Sequence, residues 1–176
     1  MFSTLRKRYT LASTIAALAS ALAINSTVQV APGTSSTGNV LFGANITNNN
    51  ACAILVRREG TLATNVAGDQ LSSQNPGGQS GIADIFAIFP YEISISPPPF
   101  FTSRPSGGDD GVVYSTFFSG RALNANGSNF AIQSGTTPVQ LSNFFSFTRV
   151  NVDLVADRPD PFPAGNYETF ATVRCE

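Results

Sequence analysis

Two cysteines, eleven carboxylates and no histidine set the chemistry open to this chain of 176 residues. Without histidine there is no Ser–His–Asp triad and no Cys–His pair. The single lysine, Lys7, falls in a segment that reads as a leader, so the rest of the chain has no lysine base. No phosphate-binding glycine loop, dinucleotide fingerprint or zinc-ligand spacing occurs. The carboxylates remain. Asp109 and Asp110 sit in a glycine-rich stretch, and Asp153, Asp157 and Asp160 cluster near the end of an alternating run. Oxygen ligands of this kind suit Ca²⁺, and Asp equally suits solvated turns. No two acids stand out as the pair a glycosidase needs. The expectation is a protein that is not an enzyme and carries no catalytic residue, metal or cofactor.

Cys52 and Cys175 read as one disulfide in an exported chain, the other reading being two buried thiols. Bridged, they close a loop of about 120 residues, worth roughly 4–5 kcal/mol on the chain-entropy model. Export is expected from the start of the sequence. Arg6-Lys7-Arg8 is a positive n-region, Tyr9 to Leu22 is apolar, and Ala21-Leu22-Ala23 is a small-x-small cleavage site. Residues 1–23 therefore read as a signal peptide, with cleavage after Ala31 as the alternative. The apolar run is shorter than the roughly 20 residues needed to cross a bilayer, so no membrane span is expected once it is removed.

From Ile24 onward seven Arg face eleven Asp and Glu. This acidic balance without Lys argues against nucleic acid and against a polybasic membrane patch. Few charges and abundant Asn, Ser, Thr and Gly suit an extracellular β surface. Asn25, Asn45 and Asn126 each open an N-glycosylation acceptor triplet, a pattern that also arises by chance in so Ser/Thr-rich a chain.

Helical periodicity is almost absent after residue 23. Short apolar or alternating runs are separated by Gly, Pro, Asn and Ser clusters, the pattern of an all-β sandwich or barrel. Strands are predicted at Val40 to Ile46, Ala51 to Arg57, Thr61 to Ala63, Asp69 to Leu71, Ile82 to Phe89 and Tyr91 to Ile95. Further strands are predicted at Val112 to Phe118, Phe130 to Gln133, Val139 to Leu141, Phe144 to Val155 and Tyr167 to Cys175. Pro90 is expected to break a central ladder. Phe117, Phe118, Phe144, Phe145 and Phe147 are expected to fill the core. Residues 24–38 read as a polar, flexible arm, with Ile24, Val28 and Val30 expected on one face, and 39–176 is expected to be one sandwich domain.

The ends of the chain carry a resemblance. A leader, a short arm and a strand leading to an early cysteine (Val40 to Cys52) are followed at the other end by a turn, Gly165-Asn166-Tyr167 and the alternating strand Glu168-Thr169-Phe170-Ala171-Thr172-Val173. This order resembles chaperone–usher pilus subunits, especially the archaic, spore coat protein U-like branch. The resemblance implies an immunoglobulin-like β-sandwich missing its last strand, completed by a donor strand from a neighbouring subunit and held before that by a periplasmic chaperone. It implies a donor arm with Ile24, Val28 and Val30, and a strand-addition edge with Tyr167, Phe170 and Val173. The implied function is an exported structural or adhesive subunit of a fimbria, passing through the periplasm to the cell surface.

In that family the early cysteine finds its partner in the first half of the domain, whereas here the second cysteine is Cys175. A bridge there would also brace a self-complete sandwich. The alternative is therefore a self-contained secreted β-sandwich that binds a glycan or another cell-surface ligand. Its candidate surface is the Pro97 to Gly111 loop, with Phe100, Phe101 and Arg104. The other reading of that loop is aromatics tucked beneath a long connection.

Overall fold

The computed structural model describes residues 38–44 and 52–176, the first of these stretches as backbone. The expected leader 1–23 and the arm residues Ile24, Val28 and Val30 lie outside the described residues. Strands form where β-branched and aromatic residues alternate with polar ones, and they end at the Gly, Pro and Asn clusters. In chain order they are β1 (Gly38–Ala44), β2 (Cys52–Arg58), β3 (Gly60–Thr64), β4 (Gln70–Ser72), β5 (Gly81–Ala87) and β6 (Tyr91–Ser96). They continue with β7 (Val113–Ala122), β8 (Phe130–Ser134), β9 (Val139–Leu141), β10 (Ser146–Asp157) and β11 (Glu168–Cys175). The described residues hold no helix.

Two sheets pack face to face as a β-sandwich. In one, β1, β11, β6 and β9 lie side by side. In the other, β10 is central, with β5 and β4 along one edge and β7 along the other, while β2 and β8 lie outside. β3 pairs β1 in the first sheet and β4 in the second, so it turns the corner between them. Pro90 lies between β5 and β6, which belong to different sheets. The break expected at Pro90 is thus a change of sheet, which suits a residue that cannot donate to a ladder.

Period-2 alternation selects the core. From the β10 sheet, Ala83, Ile85, Ala87, Phe118, Val150, Val152 and Leu154 point inward, and from the β11 sheet Ile93, Ile95, Ala171 and Val173 meet them. Gly120 is an inward position left open for a neighbour, since a Cβ there would lie 2.0 Å from the Phe130 ring. At the base of β11 the Tyr167 ring is buried, and its hydroxyl donates to the Pro163 carbonyl at 2.7 Å. A tyrosine bonding back to backbone four residues upstream pins the loop-to-strand turn, a device of Greek-key sandwiches. Cys52 and Cys175 form the expected disulfide, spanning 123 residues and tying β2 of one sheet to β11 of the other.

The carboxylate most deeply buried on the outer side of the β10 sheet is Asp84. Asp84 on β5 accepts Arg149 from β10 at 2.7 and 3.0 Å and Arg57 from β2 at 2.6 Å, so three strands share one carboxylate. The bonds from Arg149, and then from Arg57, hold its pKa below the ordinary carboxylate value of 3.8 against the opposing effect of burial. A depressed folded-state pKa means stability that is present above pH 4 and is lost as pH falls through the folded value. Unfolding free energy should therefore decline below pH 4, and Asp84→Asn should flatten that decline while lowering stability at neutral pH, both read from urea midpoints. Reducing the disulfide, or the double change Cys52→Ser with Cys175→Ser, should cost about 4 kcal/mol in the same measurement.

Candidate functional site

Three regions carry features beyond packing. The first is the seam at β11. On one side β1 runs parallel to it, from Asn39 opposite Glu168 to Ala44 opposite Val173. This is the one parallel pairing among the described strands. On the other side β6 covers Thr172 to Cys175. The Pro97 to Gly111 loop covers its base, where Thr102 donates its backbone N–H to the Glu168 carbonyl at 2.7 Å and Glu168 donates to the Ser103 carbonyl at 3.0 Å. Both edges of β11 are thus paired. Tyr167 and Val173 are buried in the core, and Phe170 faces outward, 41% exposed. Side chains alone did not reveal that β1 is the strand beside β11, because a parallel pairing joins segments about 130 residues apart.

The second region is the loop itself. Phe101 is fully buried and lies edge-to-face against Tyr167 at 4.9 Å, Tyr114 at 5.1 Å and Phe162 at 6.1 Å. It is a core residue and presents nothing to a ligand, whereas Phe100 is half exposed. Asp109 organises the loop from within. Its carboxylate pairs with Arg104 at 2.8 Å, accepts the Phe101 N–H at 3.1 Å and accepts the Tyr114 hydroxyl. Burial, then the bond to Asp109, push the Tyr114 pKa well above the ordinary tyrosine range. Arg104 also donates to the Phe101 carbonyl, so its guanidinium is committed within the loop. The outer rim, Thr102 to Gly107 with Asp109 and Asp110, lines an open, largely polar cleft of about 530 Å³.

The carboxylates whose chemistry would suit calcium are employed elsewhere or stand apart. Asp109 has the partners just named, Asp153 accepts Ser73 and Ser80 at 2.8 and 2.6 Å, and Asp157 accepts Gln70 at 2.8 Å. Among the described residues no group of three or more such side chains comes together to hold a metal ion.

The third region is an aromatic tip where β10 begins. Phe144 and Phe145 are 55% and 58% exposed, and Phe89 packs edge-to-face on Phe144 at 6.0 Å. Phe145 has φ 52°, a left-handed conformation that is unfavourable for a bulky side chain. Side-chain amides hold it there. Asn124 donates to the Phe145 carbonyl at 2.8 Å and Asn126 to the Phe144 carbonyl at 3.1 Å. Core packing was expected for this pair; Phe118 does pack in the core, but Phe144 and Phe145 face out. Alternation gave no signal for this, because the two residues lie in a turn just before β10 and Phe145 is left-handed, so both rings face out.

No family model matches the chain, and no curated protein or solved structure matches it.

The loop's dependence on Asp109 is checked by two neighbouring substitutions. Asp109→Ala should lower stability by about 1–3 kcal/mol, because it strands the Arg104 charge and the Tyr114 hydroxyl. Asp110→Ala, whose carboxylate has no partner among the described residues, should leave the thermal midpoint nearly unchanged.

Proposed function

We propose that the protein is an exported structural or adhesive subunit whose immunoglobulin-like sandwich is completed by an N-terminal strand, and that copies join by lending this strand to one another. The observation that carries the reading is the place of β1, parallel to β11 and directly following the arm. Without it, the backbone groups of Glu168 to Val173 would face solvent along one edge. An exposed edge of that kind recruits an extended segment. A strand held mainly by backbone pairing can come from the same chain or from a neighbour. In this reading the arm with Ile24, Val28 and Val30 leads β1 into the adjacent copy, and a periplasmic chaperone covers β11 until then. The resemblance at the two ends of the sequence supports the same assignment to chaperone–usher subunits. The exposed Phe144 and Phe145 would supply an adhesive contact.

A second reading is favoured by the seam as it stands. Both edges of β11 are paired and the disulfide locks its end, as in a self-contained secreted domain that binds a glycan or surface ligand. A disulfide of this type persists in oxidising compartments, which suits export in either case.

The test is an unheated, non-reducing SDS gel of the protein exported to a bacterial periplasm, with and without residues 24–38. A ladder that requires the arm and collapses on boiling is expected. A single monomer band from both versions would overturn strand exchange in favour of the self-contained domain.

A further inference from the structure

Around Arg149 the outer face of the β10 sheet gathers arginines in a chain that is acidic overall. Asp153, bonded to Ser73 and Ser80, and Asp157, bonded to Gln70, stand further along the same face. Four of the seven arginines beyond residue 23, Arg57, Arg58, Arg121 and Arg149, come from three of its strands. Register places them together. Leu55, Asp84, Arg149 and Arg121 form one row across β2, β5, β10 and β7, each directly opposite the next. The irregular pairing between Val56 and Arg58 sets Arg58 opposite outward-facing Ile82, so Arg57 and Arg58 lie on the same side. Asp84 is the one acid in this row, and it is shared by Arg57 and Arg149. Arg58 donates to the Ser80 carbonyl at 3.0 Å, which leaves its charge unneutralised.

Arg121 is exposed and has no hydrogen-bond or ion-pair partner among the described residues, although it sits directly across from Arg149. Like charges placed opposite one another in a sheet are destabilising. An anion bound between them would relieve that repulsion. The neighbouring rows supply the rest of a binding face. Phe86 and Phe147 stand opposite each other on one side of Asp84 and Arg149, with rings 6.5 Å apart and edge-to-face. Asn151 and Ser119 stand opposite each other on the other side. An apolar ring surface, the unpaired Arg121 guanidinium beside the Asp84-paired Arg149, and short polar side chains thus lie in successive rows across the sheet.

We propose that this face binds an acidic polysaccharide. A sugar ring would lie against Phe86 and Phe147, its carboxylate or sulfate would be held by Arg121 and Arg149, and hydroxyls would reach Asn151 and Ser119. Guanidinium forks recognise such anions through paired charge-assisted bonds. A nucleic acid needs a longer basic track than four arginines provide. A bilayer is the competing surface, since the exposed Phe144 and Phe145 stand where β10 begins, and vesicles are therefore one arm of the test. None of these residues belongs to β1 or β11, so the inference stands whether or not copies exchange strands.

Titration calorimetry at low salt tests it, using the exported protein with polyuronate, with heparin and with neutral dextran. Arg121→Gln is the principal variant, since that side chain supports nothing in the fold. Arg174→Gln, an equal change of charge on β11, is the control. Binding to at least one of the two polyanions but not to dextran is expected. It should weaken about tenfold in Arg121→Gln, be unaffected in Arg174→Gln, and fall as salt rises. Failure to bind either polyanion would overturn the proposal. So would equal losses in the two variants, equal binding of dextran, or binding to phosphatidylglycerol vesicles in place of both polysaccharides.

Discussion

The structure depends on keeping β11 covered. It lies inside its sheet between β1 and β6, and its inward residues Ala171 and Val173 join the core. Its first residues are tied to the Pro97 to Gly111 loop, and its last carries the disulfide to β2 of the facing sheet. β11 is thus fixed along both edges, at its base and, through the disulfide, to the facing sheet. The reason is that β11 meets neighbours distant in sequence on every side. Each contact closes a long loop, and the entropy of that closure must be offset by backbone pairing and burial.

The same requirement organises the ring cluster beneath it. Phe101, Tyr114, Phe162 and Tyr167 pack edge-to-face where the long loop meets the base of β11. The polar groups of its rings and of Asp109 have partners, whereas the Nε of Arg158, whose guanidinium lies over the Phe162 ring, is buried without one. The Tyr167 hydroxyl takes the Pro163 carbonyl, and the Tyr114 hydroxyl takes the Asp109 carboxylate, which also neutralises Arg104. A loop rich in Pro and Gly is therefore a structural buttress along its inner side, and only its outer rim remains open to solvent.

Surface features available for recognition lie on the other sheet. The arginine row belongs to strands whose inward faces are used by the core, and the Phe144 and Phe145 tip lies in the turn that leads into one of them, β10. Burial of Asp84 beneath two guanidiniums fixes where the positive charges stand, and the strained backbone at Phe145 fixes where the exposed rings stand. Both arrangements fix exposed side chains by bonds that the fold itself supplies.

Much of the strand layout was legible in the sequence, because alternation and turn residues act within a few positions of one another. The predicted runs at Thr61 to Ala63, Tyr91 to Ile95 and Val139 to Leu141 fall within β3, β6 and β9, and the break at Pro90 falls between strands. The all-β class and the Cys52–Cys175 bridge follow from period-2 patterning and from a chain with two cysteines. Tertiary structure alone decided which strands became neighbours, that β1 lies parallel to β11, and that Phe101 is buried while Phe144 and Phe145 are exposed. It also aligned Arg121 with Arg149 across β7 and β10. Alternation says that a strand has two faces. Which face turns inward, and which side chain stands opposite which, depends on pairings between residues far apart in the chain, and no local pattern encodes those.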